Sequence, residues 1–204
     1  DKAERIKAMQ KEWKTLGGAS DQALWQRFKK AADKAYEPCH AFFDEQNQLK
    51  QNNIAKREKL ISELGNFVQH NDWESADWKA AEKINRQARL EWKEAYPVDF
   101  KANKTLQQTF NSLLKDFDNK LDAERNKNLA LKQAIVDRAK DLSLLEELDQ
   151  AMQTAKDLQR EWQSIGITPY KKERELWTAF REAYAAIVAR RDQQRNDRKE
   201  APGK

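Results

Sequence analysis

Cys39 and His40 are the residues whose types would first suggest chemistry, a thiol beside an imidazole, as nucleophile and base or as two metal ligands. Neighbours on a helix point about 100° apart. The two side chains therefore cannot converge on one substrate, and one Cys–His pair is not a ligand set. A helix-surface or kink position beside Pro38 is expected for them. His70, next to Asn71, is expected at a helix C-terminus, where a cation meets the carbonyl end of the helix favourably. Neither a Gly-rich phosphate loop, an H-E-x-x-H pair nor a nucleophile elbow occurs. Acidic residues such as Glu58 and Asp157 are interleaved with Lys and Arg at helical spacing, as on a solvated face. No catalytic residue, metal ligand or cofactor site is expected, and the chain reads as a non-enzyme.

Two features would suit recognition of a macromolecule instead. In ARRDQQRNDRKE, Arg191, Arg195 and Arg198 recur at four and three residues and share a helix face, flanked by Arg190 and Lys199. Lys171, Lys172, Arg174 and Arg181 precede them in the same helical stretch. Such a ridge would neutralise several phosphates with little sequence preference. Trp73 and Trp78, in NDWESADW, are read at a helix start; five residues apart, they cannot both face one core stripe. At least one is expected to be partly exposed, as a binding-surface Trp would be.

The elements positioning these residues follow from composition. Charged residues make up 36% and hydrophobic ones 39%, with Ala, Leu, Glu, Lys, Gln and Arg dominant. That balance suits long helices, each burying a narrow stripe. No 18-residue apolar run exists to cross a membrane. Cys39 alone makes no internal disulfide, and with no signal peptide the expected location is cytoplasmic. The chain starts at Asp1 inside an amphipathic pattern, as a piece of a longer protein would. Net charge is only +5, and residues 151–204 hold most of the excess, with twelve basic against eight acidic side chains.

Three stretches repeat: MQKEWKTLGGASDQALWQRFKKAA (9–32), ARLEWKEAYPVDFKANKTLQQTFNSLL (88–114) and LQREWQSIGITPYKKERELWTAFREAY (158–184). Trp13, Trp92 and Trp162 align, each after a Glu. Phe28, Phe110 and Phe180 follow, with Trp25 and Trp177 three residues earlier and Gln107 in their place in the middle copy. The copies stand 79 and 70 residues apart by the first Trp; self-similarity of this kind marks a repeat architecture, and these Trp residues are read as its core. Each copy predicts a helix, a turn and a longer helix. The turns fall at Gly17–Gly18, Tyr96–Pro97 and Gly166 to Pro169, with Ser20, Asn103 and Thr168 as N-caps, Gly166 after a helix end and Pro169 as a first helical residue. Long helices are expected from Asp21 to about Gln69 and from Lys104 to about Lys140, with Pro38 kinking or interrupting the first. Asn71–Glu74 and Ser143–Glu146 both fit capping boxes. Leu24, Phe28, Ala31, Ala35 and Phe42 form one core stripe. Leu106, Phe110, Leu113, Leu114, Phe117 and Leu121 form a second, and Leu176, Phe180, Ala183, Tyr184 and Ile187 a third.

The run Glu161, Trp162, Ile165, Gly166, Pro169, Glu175, Leu176, Trp177, Phe180 and Ala183 resembles the bacterial tandem-repeat family known as domain of unknown function 349. Cys39-His40-Ala41-Phe42-Phe43 is similar to that family's continuation into its long helix. The resemblance spans essentially the whole chain and is weakest in the middle copy, which lacks the Gly and the second Trp. It implies an all-α tandem array and carries no activity or catalytic residue.

The sequence thus predicts an all-α, elongated array of long antiparallel helices, bundle- or coiled-coil-like. Residues 1–50 would be the second half of a first repeat and the start of its long helix, 51–125 a second repeat, and 126–204 a third with the basic helix. The expected function is a non-enzymatic scaffold or adaptor binding a macromolecule in the bacterial cytoplasm, a protein first and RNA or the ribosome second. An enzyme is the third reading. No membrane, cofactor or small-molecule substrate is expected, and oligomeric state is open.

Overall fold

The computed structural model describes residues 1–16 and 22–201, and every regular element among them is an α-helix. The order is α1 (Lys2–Thr15), α2 (Gln22–His70), α3 (Trp78–Glu94), α4 (Phe100–Leu142), α5 (Leu148–Ser164) and α6 (Tyr170–Glu200). The turn expected at Gly17–Gly18 and the cap expected at Ser20 lie outside the described residues. Helix α2 passes through Pro38 without interruption. A proline removes one i→i−4 hydrogen bond, and the helical pattern on both sides carries the element across it.

Several helix ends differ from expectation, each because a side chain is used elsewhere. Helix α4 starts at Phe100, with Asp99 Oδ1 accepting from the Ala102 N–H at 2.8 Å. Asn103 lies one turn inside it. Helix α3 starts at Trp78, where Asp77 Oδ1 accepts from the Ala80 N–H at 3.1 Å. Asn71–Glu74 is therefore not its cap. Asp72 instead closes a turn, taking the Glu74 N–H at 3.1 Å and the Ser75 hydroxyl at 2.6 Å. Ser143 finishes α4, donating to the Lys140 carbonyl at 2.6 Å, and α5 begins only after Glu147. Pro169, not Thr168, precedes the first residue of α6, and the Thr168 hydroxyl donates to the Glu173 carboxylate. Gly166 follows the end of α5 as expected, and close approach is the reason for it: a Cβ there would stand 3.3 Å from Asn128 Nδ2.

The chain divides into two compact units, Asp1–Glu63 with Leu90–Thr109, and Leu64–Arg89 with Phe110–Lys204. In the first unit, α1 packs antiparallel on the start of α2. Trp13 stacks on Phe28 at 4.4 Å between ring centres, with Trp25 5.8 Å from Trp13. Nothing of the stripe Leu24, Phe28, Ala31, Ala35 and Phe42 is buried, and Leu24 and Phe42 are exposed. Among the described residues, no third helix covers it.

In the second unit, α4, α5 and α6 pack around Ile135, Val136, Ala139, Leu158, Trp162, Phe180 and Ala183, extended by Ala151, Met152, Ala155 and Ile187. Trp162 meets Trp177, while Asp149 pairs with Arg195, so α5 and α6 run antiparallel. Phe180, Ala183 and Ile187 are buried as the third stripe predicts, and so are Phe110, Leu114, Phe117 and Leu121 of the second.

Candidate functional site

Each long helix carries one asparagine and one cation that the hydrophobic pattern does not explain. Asn53, Arg57, Asn128 and Lys132 are all buried. Burying such groups is unfavourable unless each finds partners. Asn128 Nδ2 donates to the Ile167 carbonyl at 2.8 Å, holding the α5–α6 connection, and Lys132 pairs with Glu173 one turn into α6. The Lys132 ammonium also lies 4.9 Å from the centre of the Trp162 ring. In the other unit, Asn53 Nδ2 donates to the Pro97 carbonyl at 2.8 Å. Arg57 donates to Asn103 Oδ1 at 2.7 Å and to the Trp92 carbonyl at 3.0 Å, with its guanidinium 4.5 Å over the Trp92 ring.

The two braces are one device with exchanged parts. In one, the Arg57 guanidinium meets a neutral amide oxygen and a carbonyl; in the other, the Lys132 ammonium meets a carboxylate. Where the third copy packs Trp177 against Trp162, the middle copy has Gln107, whose Oε1 accepts from the Trp92 indole N–H at 3.0 Å. Burial would raise the Glu173 carboxyl. The hydrogen bonds from Lys132 and Thr168 and the charge of Lys132 outweigh that and hold its pKa below the ordinary range. Burial lowers the Arg57 guanidinium pKa.

Sequence reasoning missed this brace, although a signal was present. Asn, a basic residue four later, and aliphatic residues three and seven beyond that recur as Asn53-Arg57-Leu60-Leu64 and Asn128-Lys132-Ile135-Ala139. Charged residues on long helices were read as solvated, which hid it.

Trp73 and Trp78 are both half-buried. Trp73 sits in the segment before α3, so helical spacing does not separate the two rings, and they pack 5.4 Å apart. Phe67 and Phe117 lie 5.6 and 5.7 Å from Trp73, and its indole N–H donates to the Val68 carbonyl at 3.0 Å. Lys120 approaches the same ring at 5.3 Å.

All nine basic residues singled out in 171–199 lie on α6. They divide by their partners. Arg190 donates to the carbonyls of Ser143 and Leu145, fastening the end of α4. Arg195 pairs with Asp149 at 3.1 Å, and Arg191 with Asp192 at 3.4 Å. Arg174 lies 5.9 Å from the Tyr170 ring. Lys171, Lys172, Arg181, Arg198 and Lys199 make no ion pair among the described residues.

Two exposed rings also escaped the sequence reading. Phe100 and Tyr170 occupy the same repeat position, the first residue of α4 and of α6, and are 84% and 76% exposed. A shallow groove beside Tyr170 is lined by Trp162, Glu173, Arg174 and Trp177. Cys39 is half-buried, and the exposed His40 packs edge-on against Tyr36 at 4.4 Å. His70 is the last residue of α2. No group of three His, Cys, Asp or Glu side chains among the described residues is placed to hold a metal ion.

The model of the family described as Domain of Unknown Function (DUF349) matches the chain twice, over residues 23–101 and 103–171. No curated protein and no solved structure matches it.

Proposed function

This chain belongs to the Domain of Unknown Function (DUF349) family, and we propose that it is a non-enzymatic helical-repeat scaffold or adaptor that binds another protein in the bacterial cytoplasm. The observation that carries this reading is the pair Phe100 and Tyr170, large rings presented to solvent at one equivalent position of successive repeats. A large apolar ring in water gains from burial against a partner. Each ring, at its own repeat, is thus a candidate anchor for a partner. The low net charge, and the use of Arg190, Arg191 and Arg195 in intramolecular bonds, weigh for protein over nucleic acid.

RNA or ribosome association is the second reading. Lys171, Lys172, Arg181, Arg198 and Lys199 support it, since five cations on one helix with no ion pair among the described residues are available to phosphates.

Recovery of the tagged protein from its own cells at graded salt distinguishes the two. A stoichiometric protein retained as salt rises from about 50 to 200 mM supports the scaffold reading. RNA bound at the lower concentration and lost at the higher supports the second, because phosphate contacts weaken steeply over that interval.

A further inference from the structure

Tyr170 borders two grooves at the start of α6, and they differ in chemistry. One is lined by the buried Trp162 and the half-buried Trp177, with Gln163 and Glu173. The other is lined by Lys171, Glu175 and Thr178, all exposed. Tyr170 and Arg174, one helical turn apart, line both. The charges there are not equally engaged. The Glu173 carboxylate is held by Lys132 and Thr168. Lys171 and Arg174 are exposed and make no ion pair among the described residues.

The middle copy shows which part of this arrangement recurs. Phe100, Lys101 and Lys104 stand where the third copy has Tyr170, Lys171 and Arg174, and all six are exposed. Asn103 and Thr105 replace Glu173 and Glu175. The feature shared by the two repeats is therefore an exposed ring with a cation one and four residues on. The acids belong to the third copy alone.

We infer that the paired grooves at Tyr170 take an acidic segment of a partner protein, in which a carboxylate stands beside a large apolar side chain. The apolar side chain covers Tyr170 and Trp177, and the carboxylate meets Arg174 and Lys171. Charge complementarity commits the site to this occupant. Its two cations outnumber the one carboxylate, Glu175, that has no ion pair among the described residues. A segment with an isolated acid avoids Glu175, whereas a nucleic-acid strand carries a charge on every phosphate and is repelled by it. The ring supplies the salt-resistant part of the affinity and the exposed cations a smaller, screened part. The inference rests on the protein-binding reading and deepens it, and it fails separately. A partner recovered from cells and still held after Lys171→Glu/Arg174→Glu leaves that reading standing and removes this one.

The test is selection of phage-displayed random dodecapeptides on the full chain carrying Phe100→Ala, so that the Tyr170 grooves alone are read. Enriched peptides are expected to carry Asp or Glu within two positions of an aromatic or large aliphatic residue. Fluorescein-labelled copies, titrated by anisotropy, should bind about tenfold more weakly after Lys171→Glu/Arg174→Glu or after Tyr170→Ala. Arg174→Lys, which supplies the residue found at 104, should keep most of the affinity. These side chains are exposed, so the variants fold, which circular dichroism checks. No enrichment, enriched peptides without acidic residues, or binding indifferent to the variants would overturn the assignment. Labelled oligouridylate that binds the same chain with the same sensitivity to the variants would give the grooves to nucleic acid and overturn it as well.

Discussion

Lys132 and Glu173 are unequal partners, and that inequality makes their brace measurable. The Lys132 side chain is 4% exposed and that of Glu173 36%. Removing the carboxylate leaves a buried cation with only an aromatic face, whereas removing the cation leaves a carboxylate that water reaches. Glu173→Ala is expected to cost about 2–3 kcal/mol in urea unfolding and Lys132→Met about 1 kcal/mol. Equal costs would contradict the geometry. The pH dependence follows from the lowered Glu173 pKa. The unfolded state then binds the proton more tightly, so the brace's contribution is full above the unfolded carboxylate value of about 4.3 and is lost as pH falls through the lower folded value. The drop in melting temperature over that acid window should be smaller in Glu173→Gln than in the parent. At this scale the repeat Trp and Phe positions were legible because spacing alone reveals them. The braces were not, since a buried Lys or Arg has the same letter as a solvated one. Only its recurrence beside Asn, one repeat later, marks it.

Helices α2 and α4 were legible in extent to within a few residues, because an apolar stripe sustained over forty or more residues outweighs local interruptions. Their flanking caps were harder to read. Asn71–Glu74 and Ser143–Glu146 have the letters of a capping box, and Asp72 and Ser143 use the same donors and acceptors to form a turn and to close a preceding helix. Tertiary packing decides between these outcomes, as when Trp73 settles against Phe67 and Phe117 and draws its segment out of helix. Pro38 gives a prediction at this scale. It lies inside α2 and forfeits one backbone hydrogen bond. Pro38→Ala should raise stability by about 1–2 kcal/mol, less than the full helix-interior penalty because the unfolded chain also gains freedom. A decrease would mean that the proline fits a conformation alanine does not maintain. Arg190 belongs here as well, because its bonds to the Ser143 and Leu145 carbonyls tie α6 to the end of α4. Read from charge alone, it had seemed available to a ligand.

For the whole molecule, the repeat grammar identifies the family and its all-helical construction, and the proposed function rests on what the repeats leave at the surface. Trp73 and Trp78 have drawn together into the packing beside Phe117, while Phe100 and Tyr170, in unremarkable sequence surroundings, present their rings to water. Nothing in a single sequence distinguishes an aromatic at the outer edge of a helix start from one that turns inward. The double variant Phe100→Ala/Tyr170→Ala removes both anchors without touching a buried residue, so its helicity and melting temperature should match the parent. The most direct measurement is recovery of bound macromolecules by parent and double variant side by side, at high salt. The scaffold account predicts a protein partner that the parent retains and the double variant loses. Recovery of RNA alone, released by salt and equal for both proteins, would contradict it.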